Sequence, residues 1–177
     1  MNEEINEKIT VRKATAADID ALIKLRLDYL TADRGSLSES EKSAVVNQLT
    51  GYFPKHISDD FISYLGETNK YIAAAAFLVI SEKPANPAFI TGKVGTILNV
   101  FTYPEYRRRG IASSLLKKLI EEARTRSLSF IELSATESGK PLYEKLGFQI
   151  KTSHYTEMIL HLENQEGQSC DTRERKP

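Results

Sequence analysis

Val94 to Ala123 reads VGTILNVFTYPEYRRRGIASSLLKKLIEEA, and this stretch decides the fold. Val94, Ile97, Leu98, Val100 and Phe101 are the β-branched, aliphatic and aromatic residues of a buried strand. Pro104 cannot donate to a ladder, so the strand ends before it. From Ile111 the period changes. Ile111, Leu115, Leu116, Leu119, Ile120 and Ala123 recur at steps of three and four, while Lys117, Lys118, Glu121 and Glu122 fall on the opposite side, which predicts an amphipathic helix. Between them lies Arg107-Arg108-Arg109-Gly110. A helix that starts there presents unpaired N–H groups and the positive end of its dipole, surrounded by three guanidiniums, and Gly110 lets a ligand approach the main chain. Such a place suits a diphosphate.

Outward from this unit the chain alternates between strand-like and helix-like segments, as in a mixed α/β domain. Ile9 to Arg12 is an opening strand, and Asp18 caps a helix reaching about Leu30 through Ile19, Leu22, Ile23, Leu25, Arg26 and Tyr29. Ser38-Glu39-Ser40-Glu41 resembles a capping box for a second helix, which Pro54 is expected to end. Phe61 to Leu65 and Tyr71 to Ile80 predict a hairpin turning through Glu67 to Lys70, followed by a loop from Glu82 to Gly92 with two prolines. Phe130 to Ser134 is a further strand, Gly147-Phe148 ends a short helix, and the alternation of His154 to Leu162 predicts a closing strand. Residues 1–162 are read as one domain and 163–177, without periodicity, as a loose tail.

Composition narrows the function classes. The 177 residues carry 24 basic and 24 acidic side chains and 41% hydrophobic residues, which describes a globular chain with no net charge. Three arginines in a neutral chain supply little of the phosphate footprint that nucleic acid requires. The N-terminus lacks an apolar signal region, and the longest apolar run, Tyr71 to Ile80, is too short for a bilayer. The expectation is therefore no nucleic-acid and no membrane partner. Cys170 is the single cysteine, so no internal disulfide framework exists, and a reducing cytoplasm fits. No metal-ligand spacing stands out.

Arg107-Arg108-Arg109-Gly110-Ile111-Ala112 fits an Arg/Gln-x-x-Gly-x-Gly/Ala pattern, and here the chain resembles the GNAT superfamily of acetyl-CoA-dependent N-acetyltransferases. The resemblance continues in Thr102-Tyr103-Pro104-Glu105-Tyr106 upstream and in Pro141-Leu142-Tyr143-Glu144-Lys145-Leu146-Gly147-Phe148 downstream, covering about residues 94 to 162 with a weaker echo in Ile9 to Leu30. It implies a central, mostly antiparallel twisted sheet of six or seven strands flanked by about four helices, splayed between the strand before the arginine loop and the next strand. It also implies acetyl transfer from acetyl-CoA to a primary amine of a small molecule or peptide by direct attack in a ternary complex. A CoA-binding regulatory module without transfer is the alternative, and a homodimer is a family-level expectation only.

The resemblance distributes roles. Arg107, Arg108, Arg109, Gly110, Ile111, Ala112 and Ser113 would hold the CoA phosphates, with a second hydroxyl at Ser114. Main-chain groups of Val100, Phe101 and Thr102 would meet the pantetheine and the thioester carbonyl. Ser138 stands where many relatives have a cofactor-contacting asparagine. Tyr143 would protonate the leaving thiolate, although a tyrosine there can also simply pack its ring on the core. The family often has a glutamate base on the strand before the loop, whereas this chain has only Thr96 and Asn99 as polar side chains inside it, so a water relay is expected. Arg26, Tyr29, Asn99, Tyr103, Glu105 and His154 are candidate acceptor-pocket residues; Asn99 reads equally as ligand-facing or as an ordinary polar position on the sheet.

Overall fold

The computed structural model describes residues 7–162. Five strands form one sheet in the order β1-β2-β3-β4-β5, where β1 is Thr10–Lys13, β2 Phe61–Glu67, β3 Ile72–Glu82, β4 Lys93–Thr102 and β5 Phe130–Glu132. The first four are antiparallel neighbours, and β5 joins β4 in parallel. Helices α1 (Ile19–Arg34) and α2 (Glu39–His56) cover one face. Helix α3 (Ile111–Thr125) covers the other, and the short α4 (Lys140–Lys145) packs at its margin.

Covering both faces explains the composition of β3, whose apolar residues run without alternation because the successive side chains from Ala73 to Leu78 are all buried. Ala74, Ala76 and Leu78 face α3, where they meet Ile111, Leu115, Leu116, Leu119 and Ala123, the stripe predicted from the sequence. Ala75 and Phe77 face the other way, toward Leu22, Leu25, Leu49 and Phe53. Small alanines let the helices approach. Each fully buried leucine contributes about 1.5–3 kcal/mol of apolar burial, so the stripe of three leucines and Ile111 is a principal anchor of α3.

Local signals set the element ends. Ser38 accepts from the Glu41 N–H at 3.2 Å while the Glu41 carboxylate takes the Ser38 N–H at 2.7 Å, completing the capping box of α2. Asp18 does stand at the start of α1, but its side chain is held by Arg12, at 2.8 and 2.9 Å, and by the Thr15 N–H at 2.8 Å, tying β1 to the helix entry.

Two expectations are corrected. Pro54 lies inside α2, which continues to His56; a proline in the last turn forfeits a single helical bond, and the Ile57 N–H still reaches the Phe53 carbonyl at 2.9 Å. The sheet has five strands, not six or seven, among the described residues. The segment expected to close it, His154 to Leu162, is irregular, with Tyr155, Met158, Ile159, Leu160 and Leu162 all exposed. Alternation supplies an apolar face but no pairing partner, and these side chains join neither core cluster. The tail expected at 163–177, with Cys170, lies outside the described residues.

Candidate active site at the splay between β4 and β5

β4 pairs with β3 along its length, from Glu82 opposite Lys93 to Ala74 opposite Thr102. With β5 it shares only Val94–Phe130, Gly95–Ile131 and Thr96–Glu132. From Ile97 onward the outer edge of β4 therefore carries main-chain groups with no strand beside them, which is the expected splay. A bulge sharpens it. Leu98 pairs with Phe77 and Phe101 with Ala75, so Asn99 and Val100 together oppose Ala76, and Asn99 has φ +52°. Asparagine tolerates this left-handed conformation better than the aliphatic residues around it. The bulge leaves Leu98 39% exposed, turns Asn99 into the protein at 3% exposure and keeps Phe101 in the core.

The arginine loop follows directly. Tyr106 is buried, and its hydroxyl is bonded to that of Tyr71, which pins the turn Pro104–Tyr106. Arg107 Nε donates to the Thr102 carbonyl at 3.0 Å, and the Arg109 guanidinium lies 5.3 Å from the centre of the Tyr106 ring. Arg108 and Gly110 both have positive φ, +65° and +75°, bending the main chain into the concave form that gathers N–H groups around an anion. Gly110 ends that bend as the cap residue of α3. No side chain caps the helix, and the first N–H bonded within the protein is that of Ser114, to the Gly110 carbonyl at 3.1 Å. The N–H groups of Ile111, Ala112 and Ser113 are thus open to an anion. The Ser114 hydroxyl turns back onto the same carbonyl at 3.2 Å, leaving Ser113 as the half-buried hydroxyl of this turn. The arrangement fits a diphosphate: three main-chain donors, a helix N-terminus and exposed guanidiniums.

The splay opens into a cleft of about 1080 Å³. Arg26 and Tyr29 from α1, Asn99 and Val100 from β4 and Tyr143 from α4 line it together, although they come from three well-separated parts of the chain. Tyr143 is half-buried and its hydroxyl has no hydrogen-bond partner among the described residues. Burial, with a smaller contribution from nearby Tyr29, raises its pKa above the ordinary tyrosine value, so the hydroxyl holds its proton. Asn99 Oδ1 accepts from Arg26 Nη1 at 3.4 Å, while its buried Nδ2 has no partner. The Arg26 guanidinium lies 5.6 Å from the Tyr29 ring centre, and burial pulls its pKa downward.

Other residues named from the sequence lie apart from this cleft. The Tyr103 hydroxyl donates to Asp28 and accepts from Lys24 Nζ at 2.8 Å, so it fastens the end of β4 to α1. Ser138 is exposed in a turn, sharing a hydrogen bond of 3.2 Å with Thr136, and it is Thr136 that reaches the cleft wall. Glu105 and His154 are exposed. Sequence reasoning passed over Glu132, Thr136, Lys140 and Glu144, which line the cleft because β5 stops early and α4 turns back over it. The turn Thr136-Glu137-Ser138-Gly139 before Pro141 was a usable signal for Thr136: a hydroxyl before a helix start, here accepting from the Gly139 N–H at 3.2 Å.

Comparison with known proteins supports the fold and the family resemblance. The Acetyltransferase (GNAT) family matches residues 22–148. A crystal structure of a predicted acetyltransferase with acetyl-CoA from Clostridium acetobutylicum is 31% identical, with TM-score 0.74, over 86% of this chain and 96% of that one. A GCN5-related N-acetyltransferase from Ralstonia eutropha JMP134 shares the fold at 23% identity and TM-score 0.70, over 85% of this chain and 99% of that one. A 50-residue segment is 46% identical to the uncharacterized N-acetyltransferase YafP of Escherichia coli (strain K12), spanning 28% of this chain and 30% of that relative. The chain belongs to the GNAT family of acetyl-CoA-dependent acyltransferases.

Proposed function

We propose that this chain is an N-acetyltransferase that moves an acetyl group from acetyl-CoA to a primary amine within a ternary complex. One observation carries the reading: the proton-holding hydroxyl of Tyr143 and the unpaired edge of β4 face a single cleft, and β4 itself runs on into the arginine loop and the open N-terminus of α3. The N–H groups of Ile111, Ala112 and Ser113, with Arg107, Arg108 and Arg109, hold the diphosphate. Main-chain groups of Val100 and Phe101 orient the pantetheine arm, and an N–H on this edge stabilises negative charge on the carbonyl oxygen during attack. The acceptor must be neutral to attack. Its ordinary pKa near 10 requires that a proton leave first, and water in the open cleft removes it. The new C–N bond forms and the C–S bond breaks, Tyr143 gives its proton to the departing sulfur, and the proton shed by the acylated nitrogen passes through water to restore the tyrosine.

Among the described residues no cysteine lines the cleft, and direct attack needs no acyl-enzyme. Thiol release from acetyl-CoA over a panel of amines tests the reading. Double-reciprocal plots at several fixed acetyl-CoA concentrations are expected to intersect; parallel lines would indicate a covalent intermediate and overturn direct attack.

A further inference from the structure

A buried donor without an acceptor is costly, and a half-buried guanidinium without a carboxylate is more so. Asn99 and Arg26 present both in one place. Asn99 is 3% exposed and its Nδ2 has no hydrogen-bond partner. Its amide cannot be reversed, since that would set an NH2 group against a guanidinium that only donates. Arg26 makes no ion pair among the described residues; its one side-chain hydrogen bond is the 3.4 Å contact to Asn99, and Tyr29 supports its plane. Two other pairs of charges on the cleft wall are matched, Lys151 with Glu132 at 3.0 Å and Lys140 with Glu144 at 3.9 Å; Asp33 and Arg34, next to one another on α1, act on Arg26 with opposite signs, and neither is bonded to it. Asn99 is held in this position by the bulge and its positive φ, so the unsatisfied donor, covered from solvent until a ligand displaces the side chains over it, is a built feature of β4.

We infer that Arg26 and Asn99 form a carboxylate-binding subsite, so that the acceptor is an amine that also bears a carboxylate, as in amino acids. This rests on the transferase reading above and names its substrate class. A carboxylate has two oxygens for two adjacent donors, one from Arg26 and one from Asn99 Nδ2, and its single negative charge matches the one half-buried cation there. A polyamine or an aminoglycoside would bring positive charge to a guanidinium and leave both donors unmet.

The test uses the whole chain and matched acceptors: leucine, leucinamide and isoamylamine; phenylalanine, phenylalaninamide and phenethylamine; 4-aminobutyrate and butylamine; and phosphoethanolamine for a phosphate. Thiol release gives kcat/KM for each, and thermal shifts in saturating CoA give acceptor binding without turnover. A carboxylate is expected to raise kcat/KM and tighten binding about ten- to a hundredfold in at least one series, as charge-assisted hydrogen bonds do. Asn99→Asp keeps the shape and the tolerance of positive φ but gives Arg26 an internal carboxylate; Arg26→Met keeps the stem and removes the charge. Both are expected to collapse the preference chiefly through the acceptor KM.

Turnover of amines with no carboxylate preference would overturn the subsite while leaving the transferase intact. A preference visible in thermal shifts without thiol release from any amine would sustain the subsite and overturn the transferase reading. Preference for phosphoethanolamine, or variants whose defect falls on the acetyl-CoA KM instead, would also overturn the subsite. So would well-folded variants that retain the preference.

Discussion

Tyr143 shows how much chemistry one hydroxyl can be asked to do. Phenylalanine keeps the ring, which packs edge-on to Phe148 at 6.0 Å, and removes only the proton-bearing group. Tyr143→Phe is expected to lower kcat by about 10²-fold, the lower end of what a positioned general acid contributes, because a CoA thiol is a fairly good leaving group. CoA-dependent thermal shifts should persist; a variant retaining more than half of the parental kcat would remove Tyr143 from the mechanism. The pH profile adds a second reading. An acid must be protonated to act, and burial raises the Tyr143 pKa, so any alkaline fall in kcat that belongs to it should lie above about pH 10, the ordinary tyrosine value. A fall centred near pH 8 would belong to another group.

At the scale of elements, two junctions make predictions. Gly110 caps α3 at φ +75°, and a side chain there would meet no protein atom within 4 Å, so a substitution acts through backbone strain and on the approaching ligand. Gly110→Val should cost about 1–2 kcal/mol in stability. It should also shrink the stabilisation by CoA, about 2.7 kcal/mol for the parent at 100 times Kd. A well-folded variant with an undiminished thermal shift would exclude this loop as the phosphate site. The β1–α1 junction rests on Asp18, which the Arg12 guanidinium holds at a pKa of about 2. A depressed carboxylate contributes stability above its unfolded pKa, near 4, and loses it as pH falls toward 2. Discounted for solvent screening, that contribution is about 1 kcal/mol. Asp18→Asn should lower Tm at pH 7 and flatten the acid-side decline between pH 4 and 2; an unchanged decline would assign it to other carboxylates.

Across the whole molecule, the phosphate loop depends on a strand far from it in sequence. A Cβ on Gly66 in β2 would come within 2.8 Å of Ile111 Cγ2, at the first residue of α3. Gly66→Val should therefore destabilise the fold by about 1–3 kcal/mol through overpacking and weaken CoA binding by lifting the helix start. Calorimetry on the variant decides this: weakened stability with unaltered CoA affinity would show that α3 is positioned independently of β2.

The helices, the strands β1 to β4 and the arginine loop were legible because each depends on local facts: a period of three to four at Ile111 to Ala123, a capping box at Ser38, a glycine where the chain must turn left-handed. The likeness of Arg107 to Ala112 to a known pattern extended that reading to the cofactor. What no local pattern encodes is which main-chain edge goes unpaired. His154 to Leu162 alternates as a strand does, yet its residues find no partner in the sheet, because pairing is a property of two segments and the edge β5 offers is three residues long. Asn99 is the clearest case. Its identity left a ligand-facing and a surface reading equally open, and only the bulge opposite Ala76, together with the passage of α1 over the cleft, turned it inward beside Arg26 with a donor to spare. Sequence determined the elements and their chemistry, since those follow from neighbours along the chain; tertiary structure decided which of those groups share one cavity, since that follows from neighbours in space.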